Sequence, residues 1–187
     1  TVTSPYTGEI WLDRNLGASQ VCTDLNDTAC FGDYYQWGRE ADGHEQITSV
    51  TTLIKATSIT PVDDNFIIVS ESLDWTTADE NGTFRSTNWS KTDGSSVCPV
   101  GYRVPTKSEI ELETILTSTE SINVLDTFNG FLQLATSGSR YSFDGTKQEN
   151  SLGLWSSTTS VDNGTYSLVV YSDYSYMSND VRGNGIP

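Results

Sequence analysis

Few side chains in this sequence have the type and spacing that catalysis needs. His44 is the single histidine among 187 residues, and in the polar run ADGHE we expect it to be an ordinary surface side chain. The three cysteines include no Cys-x-x-Cys pair, so the usual zinc sites are not expected. A Gly-x-Ser-x-Gly nucleophile motif and a glycine-rich phosphate loop are also missing. The prediction is a non-enzyme, although the many acidic residues leave a carboxylate pair of the glycosidase kind open.

Calcium is the metal that the composition favours, because it binds carboxylate, amide and carbonyl oxygens. The best local cluster is Ala78–Thr83, which reads ADENGT. Asp79, Asn81 and the carbonyl of Thr83 alternate there as in the first half of an EF-hand loop, but the later bidentate glutamate is missing. Each acidic cluster also fits an ordinary Asx turn. The nearby acidic candidates for the same ion are Asp74 and Asp93.

Aromatic and basic side chains could supply the rest of a binding site. Nine tyrosines and five tryptophans offer large contact areas with a polar handle. Arginine can hold a ligand carboxylate through two hydrogen bonds, and Arg39 and Arg140 are predicted to do so, whereas Arg103 is expected to tie down a loop. Trp155 is expected in the core. The aromatic residues predicted to line a ligand groove are Tyr34, Tyr35, Trp37, Trp75, Trp89 and Tyr174.

Length and charge limit the class of protein. A chain of 187 residues suffices for one compact domain, 1–187, with a real core. A net charge of −15 would repel a nucleic-acid backbone, so nucleic-acid binding is not expected. No apolar run approaches the roughly 20 residues that span a bilayer. We interpret the chain, which opens on Thr1 and stops on Pro187, as a domain cut from a longer protein.

The cysteines suggest an exported protein. Cys22 and Cys30 flank the short run VCTDLNDTAC, and their pairing would close a small ring of the kind that exported proteins carry. Cys98 is then left over, and an odd cysteine is either free or separated from its partner.

The elements that must position these residues are short. A capping box of Thr106 and Glu109 opens a predicted helix, Lys107–Thr117, and a long polar stretch, 71–96, has no clear periodicity. The tail Tyr171–Asp180 either forms a strand with an exposed tyrosine face or lines the ligand site. Gly32–Arg39 is expected to pack on the core. The predicted strands are Glu9–Leu12, Asn65–Ser70, Gly130–Thr136, Leu154–Thr158 and Thr165–Tyr171. The pattern predicts an α+β fold with long loops.

Five motifs in order support a family resemblance that covers nearly the whole chain. They are WLDRNLGA at Trp11–Ala18, YQWGR at Tyr35–Arg39, CPVGYRVPT at Cys98–Thr106, LWSST at Leu154–Thr158 and the closing VRGNGIP. Together they resemble the Fibrobacter succinogenes major paralogous domain, most closely the peptide-binding domain of calcium-dependent repeat adhesins. The resemblance implies short twisted antiparallel sheets, one or two helices and a C-type-lectin-like arrangement. Family members continue into a Val-Arg-Cys ending, which implies a partner for Cys98 beyond Pro187.

The resemblance also implies a function. A monomeric module on the bacterial cell surface, outside the cell, would capture the C-termini of peptides on host or neighbouring cell-surface proteins, with Ca²⁺ required. No membrane insertion is expected. A calcium-dependent lectin, in which tryptophan and tyrosine rings stack on sugars, is also consistent with the sequence. So are a structural spacer without a ligand and an enzyme of the formylglycine-generating type.

Overall fold

Short strands joined by long connections make up most of the computed structural model, which describes residues 1–69, 73–115, 122–149, 151–161 and 163–187. The predicted α+β class is confirmed. The strands are β1 (Val2–Thr3), β2 (Ile10–Trp11), β3 (Tyr35–Gln36), β4 (Thr51–Thr52), β5 (Phe66–Ile67), β6 (Ser139–Arg140), β7 (Lys147–Gln148), β8 (Leu152–Thr159), β9 (Thr165–Val170), β10 (Ser175–Asp180) and β11 (Gly185–Ile186). The helices are α1 (Thr83–Trp89), α2 (Lys107–Glu113) and α3 (Val124–Asn129).

The longest strands form an antiparallel meander in the order β10-β9-β8. Because side chains alternate across a strand, Leu152, Leu168 and Val170 all reach one face, where they pack against Ile110 of α2. Trp155 reaches the opposite face and joins a second cluster of buried side chains. The meander is therefore buried on both faces at the start of β8.

Helix α2 begins where the capping box predicts. The Thr106 hydroxyl accepts a hydrogen bond from the Glu109 amide, and the Glu109 carboxylate accepts one from the Thr106 amide. Hydrogen bonds from Arg103, then from Thr106, lower the pKa of Glu109 to about 2, so Arg103 ties down the loop as predicted. The helix ends at Glu113, earlier than predicted, because Thr114 leaves helical geometry; positions 116–117 of the predicted helix lie outside the described residues.

A second sheet, ordered β3-β11-β6-β7, joins segments that are far apart in the sequence. Its centre is β11, in which Gly185 pairs with Gln36 on one side and Arg140 on the other. A Cβ atom at Gly185 would lie 2.9 Å from the Tyr34 carbonyl oxygen, so this close approach needs glycine. Strands β1 and β2 form an antiparallel pair, and β4 and β5 form a parallel one.

Two predictions of local structure are wrong. The polar stretch 71–96 contains α1, whose start is set by the side chain of Asp79 rather than by hydrophobic periodicity. The predicted strand Gly130–Thr136 is irregular, and Gln133 has a φ of 49°, which no strand accommodates. The unpredicted helix α3 ends directly before it.

The remaining predicted elements are present in shortened or extended form. Strand β2 lies within Glu9–Leu12, β8 covers Leu154–Thr158, and β9 covers Thr165–Tyr171 except for Tyr171. Strand β5 lies within Asn65–Ser70, of which Ser70 is outside the described residues. A disulfide joins Cys22 to Cys30, and Cys98 is a buried free thiol. No described helix has the length and apolar character needed to cross a membrane.

We expect Thr106→Ala to lower the free energy of unfolding by about 1 kcal/mol, because the substitution removes the side-chain acceptor at the start of α2. Thr106→Ser keeps a hydroxyl at the same position and should retain most of the stability. Urea denaturation of the three proteins checks this. Equal stabilities for the alanine and serine variants would contradict the capping role.

Candidate functional site

Three buried arginines pack against two buried tryptophans at the centre of the molecule. The Arg85 guanidinium carbon lies 5.2 Å from the ring centroid of Trp37 and 5.3 Å from that of Trp75. Arg182 lies 4.9 Å from the Trp37 centroid and Arg39 lies 5.5 Å from the Trp75 centroid. All five side chains are fully buried. This guanidinium–indole stack places Trp37, Trp75 and Arg39, which were predicted to contact a ligand, inside the core.

The carboxylates predicted to bind calcium neutralise the guanidinium–indole stack. Asp74 accepts two hydrogen bonds from Arg85, at 2.7 and 2.6 Å, and one from Arg182, at 3.1 Å. Asp79 accepts from the backbone amides of Phe84 and Arg85 and from the Arg85 side chain. Two guanidinium groups this close would repel a divalent cation, and the carboxylates would have to release them to bind one.

The remaining predicted calcium ligands also have structural partners. The Asn81 side chain accepts a hydrogen bond from the Thr83 amide at the start of α1. Asp93 accepts from the backbone and the side chain of Ser95 in an exposed Asx turn. The ADENGT run is therefore a helix-capping turn, and Asp74, Asp79, Asn81 and Asp93 do not fit a calcium ion as a group.

Arg140 and Tyr34 are structural as well. Arg140 is buried, lies 4.2 Å from the Phe66 ring centroid and donates to the carbonyls of Gly145, Gln46 and Ser49. The Tyr34 hydroxyl donates to the carbonyl of Ser137. Burial raises the pKa of Tyr34 to about 12.

His44 is buried, which contradicts the surface position expected from its polar neighbours. Its Nε2 accepts a hydrogen bond from the Gln36 amide, so Nδ1 carries the proton and donates to Asp42 at 2.7 Å. Asp42 also accepts from Arg39, and Glu45 accepts from the Gly43 amide. Burial lowers the pKa of His44, a shift that the hydrogen bond to Asp42 partly offsets.

The ligand atoms of Asp42, His44 and Glu45 lie within 4.8 Å of one another, a spacing that would suit a metal ion. However, both nitrogens of the imidazole are engaged in hydrogen bonds, and Arg39 adds a positive charge beside Asp42. A metal or a proton acceptor needs a free imidazole nitrogen. The group is therefore a structural hydrogen-bond network, and it supplies neither a metal site nor a general base.

A cleft of about 260 Å³ lies between the N-terminal hairpin, the loop before α2 and strand β8. We call it the aromatic cleft and define it by five rings that line it: Trp11, Tyr35, Trp89, Tyr102 and Trp155. Its other apolar lining includes Leu16, Val97, Cys98, Leu132, Leu134 and Leu154. Of the aromatic residues that were predicted to line a ligand groove, Tyr35 and Trp89 line this cleft.

Charged groups also line the aromatic cleft. Arg14 pairs with Asp13 at 2.7 Å, and Arg103 pairs with Glu109 at 2.5 Å. The two arginine side chains are 39% and 34% exposed, so they can reach a ligand at the mouth. Burial raises the pKa of the Cys98 thiol to about 11. This thiol is therefore neutral near pH 7 and is a poor nucleophile.

Tyrosines form a row on the edge strand β10 and the turn before it. The ring centroids of Tyr171 and Tyr174 are 4.9 Å apart, and those of Tyr174 and Tyr176 are 5.9 Å apart. Tyr174 and Tyr176 are 46% and 42% exposed. The tail therefore forms a strand with an exposed tyrosine face, one of the two predicted outcomes, and Tyr174 is the predicted ligand residue that solvent reaches.

Comparisons with protein-family models, with curated proteins and with solved structures find no match to this chain. The assignment of function consequently depends on the geometry of the aromatic cleft and of the tyrosine row. Sequence reasoning did not select Trp11 or Tyr102 for a site. The available signal was that both lie in aromatic motifs, WLDRNLGA and CPVGYRVPT, which meet only through the tertiary fold.

We expect the His44→Gln substitution to reduce the pH dependence of stability between about pH 7 and pH 5. The imidazole has a lower pKa in the folded protein than in the unfolded chain, so the unfolded chain binds the proton first as the pH falls. The free energy of unfolding of the wild type should therefore decrease below about pH 6.5. Glutamine does not titrate and removes this contribution. Urea denaturation at a series of pH values measures both slopes, and identical slopes would contradict the burial of a neutral imidazole.

Proposed function

We propose that this chain is a non-catalytic binding module that takes the C-terminal end of a peptide into the aromatic cleft. The observation that carries the proposal is the combination of five lining rings with two exposed arginines. A ligand pocket is typically apolar with a few placed polar groups. Both imidazole nitrogens of His44 are engaged in hydrogen bonds and the Cys98 thiol is neutral near pH 7, which favours binding over catalysis by these two groups.

The size of the aromatic cleft limits what it can hold. Its volume of about 260 Å³ lies below the roughly 300–1,000 Å³ of pockets that enclose drug-sized ligands. One aromatic or aliphatic side chain with its end group suits this volume. Arg14 and Arg103 are paired with Asp13 and Glu109, but a guanidinium has five N–H donors and retains some of them for a ligand. A terminal carboxylate gains from these two cations, whereas an internal peptide segment brings no such charge.

The setting of the module follows from the disulfide and from the family resemblance. The Cys22–Cys30 bond is of a kind that persists in oxidising, extracellular environments. We therefore propose an extracellular adhesin module with a C-type-lectin-like arrangement on the bacterial cell surface. A calcium requirement is left out of the proposal, because the residues predicted to bind the ion direct their oxygens to guanidinium and backbone N–H groups.

Carbohydrate binding is the second candidate function, and the tyrosine row favours it. Tyr174 and Tyr176 present two exposed rings at an interplanar angle of 12°. Aromatic rings of this kind combine an apolar face with a hydroxyl that can form hydrogen bonds. A sugar would bind on the surface of β10, so it would not compete with a peptide in the aromatic cleft.

We expect short peptides with a free C-terminal tyrosine, phenylalanine or leucine to bind, and Thr92→Trp to weaken their binding at least tenfold, or about 1.4 kcal/mol. Thr92 is exposed and lines the aromatic cleft, so a bulky side chain there obstructs the mouth without disturbing the core. Thr87→Trp places the same side chain on the exposed face of α1 and is the matched control. Isothermal titration calorimetry measures the affinities.

Further arms of the titration separate the candidate functions. The same peptides with an amidated C-terminus should bind more weakly, and calcium or a chelator should leave the affinity unchanged. Displacement by monosaccharides, or equal loss of binding in the two tryptophan variants, would contradict the proposed site. Heat from sugars that Tyr174→Ala abolishes would instead favour the carbohydrate function.

A further inference from the structure

We propose that the indole N–H groups of Trp11 and Trp89 are the donors that recognise an oxygen atom of the peptide in the aromatic cleft. This inference rests on the proposed function, since it names the groups that recognise the polar part of the ligand. It concerns a pair of buried donors and does not depend on the arginines at the mouth.

Three of the five tryptophans have satisfied indole groups. Trp37 donates to the carbonyl of Ser156 at 2.8 Å, and Trp75 donates to the carbonyl of Trp37 at 2.8 Å. Trp155 donates to the carbonyl of Tyr35 at 2.7 Å. Each of these bonds joins segments that are distant in sequence, so these indole donors help to hold the fold together. Buried polar groups are nearly always paired in this way.

The remaining two tryptophans, Trp11 and Trp89, have indole N–H groups that are unpaired within the described part of the chain. The Nε1 atoms of Trp11 and Trp89 are buried and have no hydrogen-bond partner among the described residues. Both side chains line the aromatic cleft, although they come from the N-terminal hairpin and from the end of α1. A buried donor without an acceptor destabilises the fold. Two such donors, on two side chains that line one cleft, point to an acceptor that enters with the ligand.

The chemistry of the donors selects the class of ligand. An indole N–H can only donate, and so can the guanidinium groups of Arg14 and Arg103 that line the same cleft. Glu9 and Glu109 also line the cleft, but the two indole donors themselves match only an acceptor, such as an oxygen atom of the ligand. A peptide offers such an oxygen in its terminal carboxylate and in the carbonyl of its last peptide bond. Because protein atoms shield both Nε1 atoms, the walls of the cleft must separate slightly for the oxygen to reach them.

Nuclear magnetic resonance of the five indole N–H groups tests this inference directly. The intact chain, labelled with ¹⁵N, is titrated with N-acetyl-tyrosine, with its amide, and with 4-ethylphenol, which lacks both oxygens. We expect the signals of Trp11 and Trp89 to move downfield with the first two probes and not with 4-ethylphenol. The signals of Trp37, Trp75 and Trp155 should stay in place. A larger shift with the acid than with the amide identifies the carboxylate as the acceptor, and equal shifts identify the carbonyl.

Replacement of Trp89 by benzothienylalanine, in which sulfur takes the place of the N–H group, removes the donor and keeps the shape. We expect the affinity for a C-terminal tyrosine peptide to fall roughly tenfold and the affinity for 4-ethylphenol to be unchanged. Trp11→Phe gives a second, independent loss of one donor. Circular dichroism and the melting temperature establish that each variant is folded.

The results that would overturn the indole inference differ from those that would overturn the proposed function. Peptide binding by calorimetry with no movement of the Trp11 and Trp89 signals would overturn the indole inference and leave the binding function standing. An unchanged affinity in the benzothienylalanine variant would overturn it as well. If no peptide releases heat and none of the five signals moves with any probe, both the inference and the proposed function are wrong.

Discussion

The burial of three guanidinium groups against two indole rings is the constraint on which the rest of this structure depends. A buried charge is tolerated only when it is paired and hydrogen-bonded. Asp74 meets this requirement for Arg85 and Arg182 together, and Asp79 adds a second carboxylate beside Arg85. The stack therefore joins the start of α1 to the C-terminal segment and to the strand β3 region. The stack thereby fixes the relative positions of these three segments in a chain that has few long helices or strands.

The same constraint explains why several side chains with binding chemistry are buried in the core. Arginine and tryptophan are enriched among the residues that dominate binding interfaces, and this chain uses several of them to hold its own loops. Arg39 and Arg140 donate mainly to backbone carbonyls of long connections. His44 with Asp42 fastens the turn beside β3. Irregular backbone carries polar groups that no helix or sheet pairs, and buried side chains satisfy them instead.

The surfaces that a ligand could reach lie outside the guanidinium–indole stack. The aromatic cleft is assembled from the N-terminal hairpin, the end of α1, the loop before α2 and strand β8. Trp89 belongs to both regions, because its ring packs at 5.8 Å from that of Trp37 while it also lines the cleft. The wall of the cleft at Trp89 is therefore continuous with the core behind it. The tyrosine row lies apart, on the free edge of the meander.

The sequence by itself determined the features that depend on neighbours a few residues apart: the capping box of α2, the alternation in β8 and β9, and the small Cys22–Cys30 ring. These patterns act through spacings of two to eight residues, which can be read directly. Only the tertiary structure decided whether an arginine or a tryptophan faces solvent or the core. Asp74 meets Arg182 from 108 positions away, and no local pattern reports such a partner. A charged side chain is buried when its counter-charge arrives from a distant segment, so several predicted ligand residues lie in the core, whereas the cleft combines Tyr35 and Trp89 with rings that were not selected from the sequence.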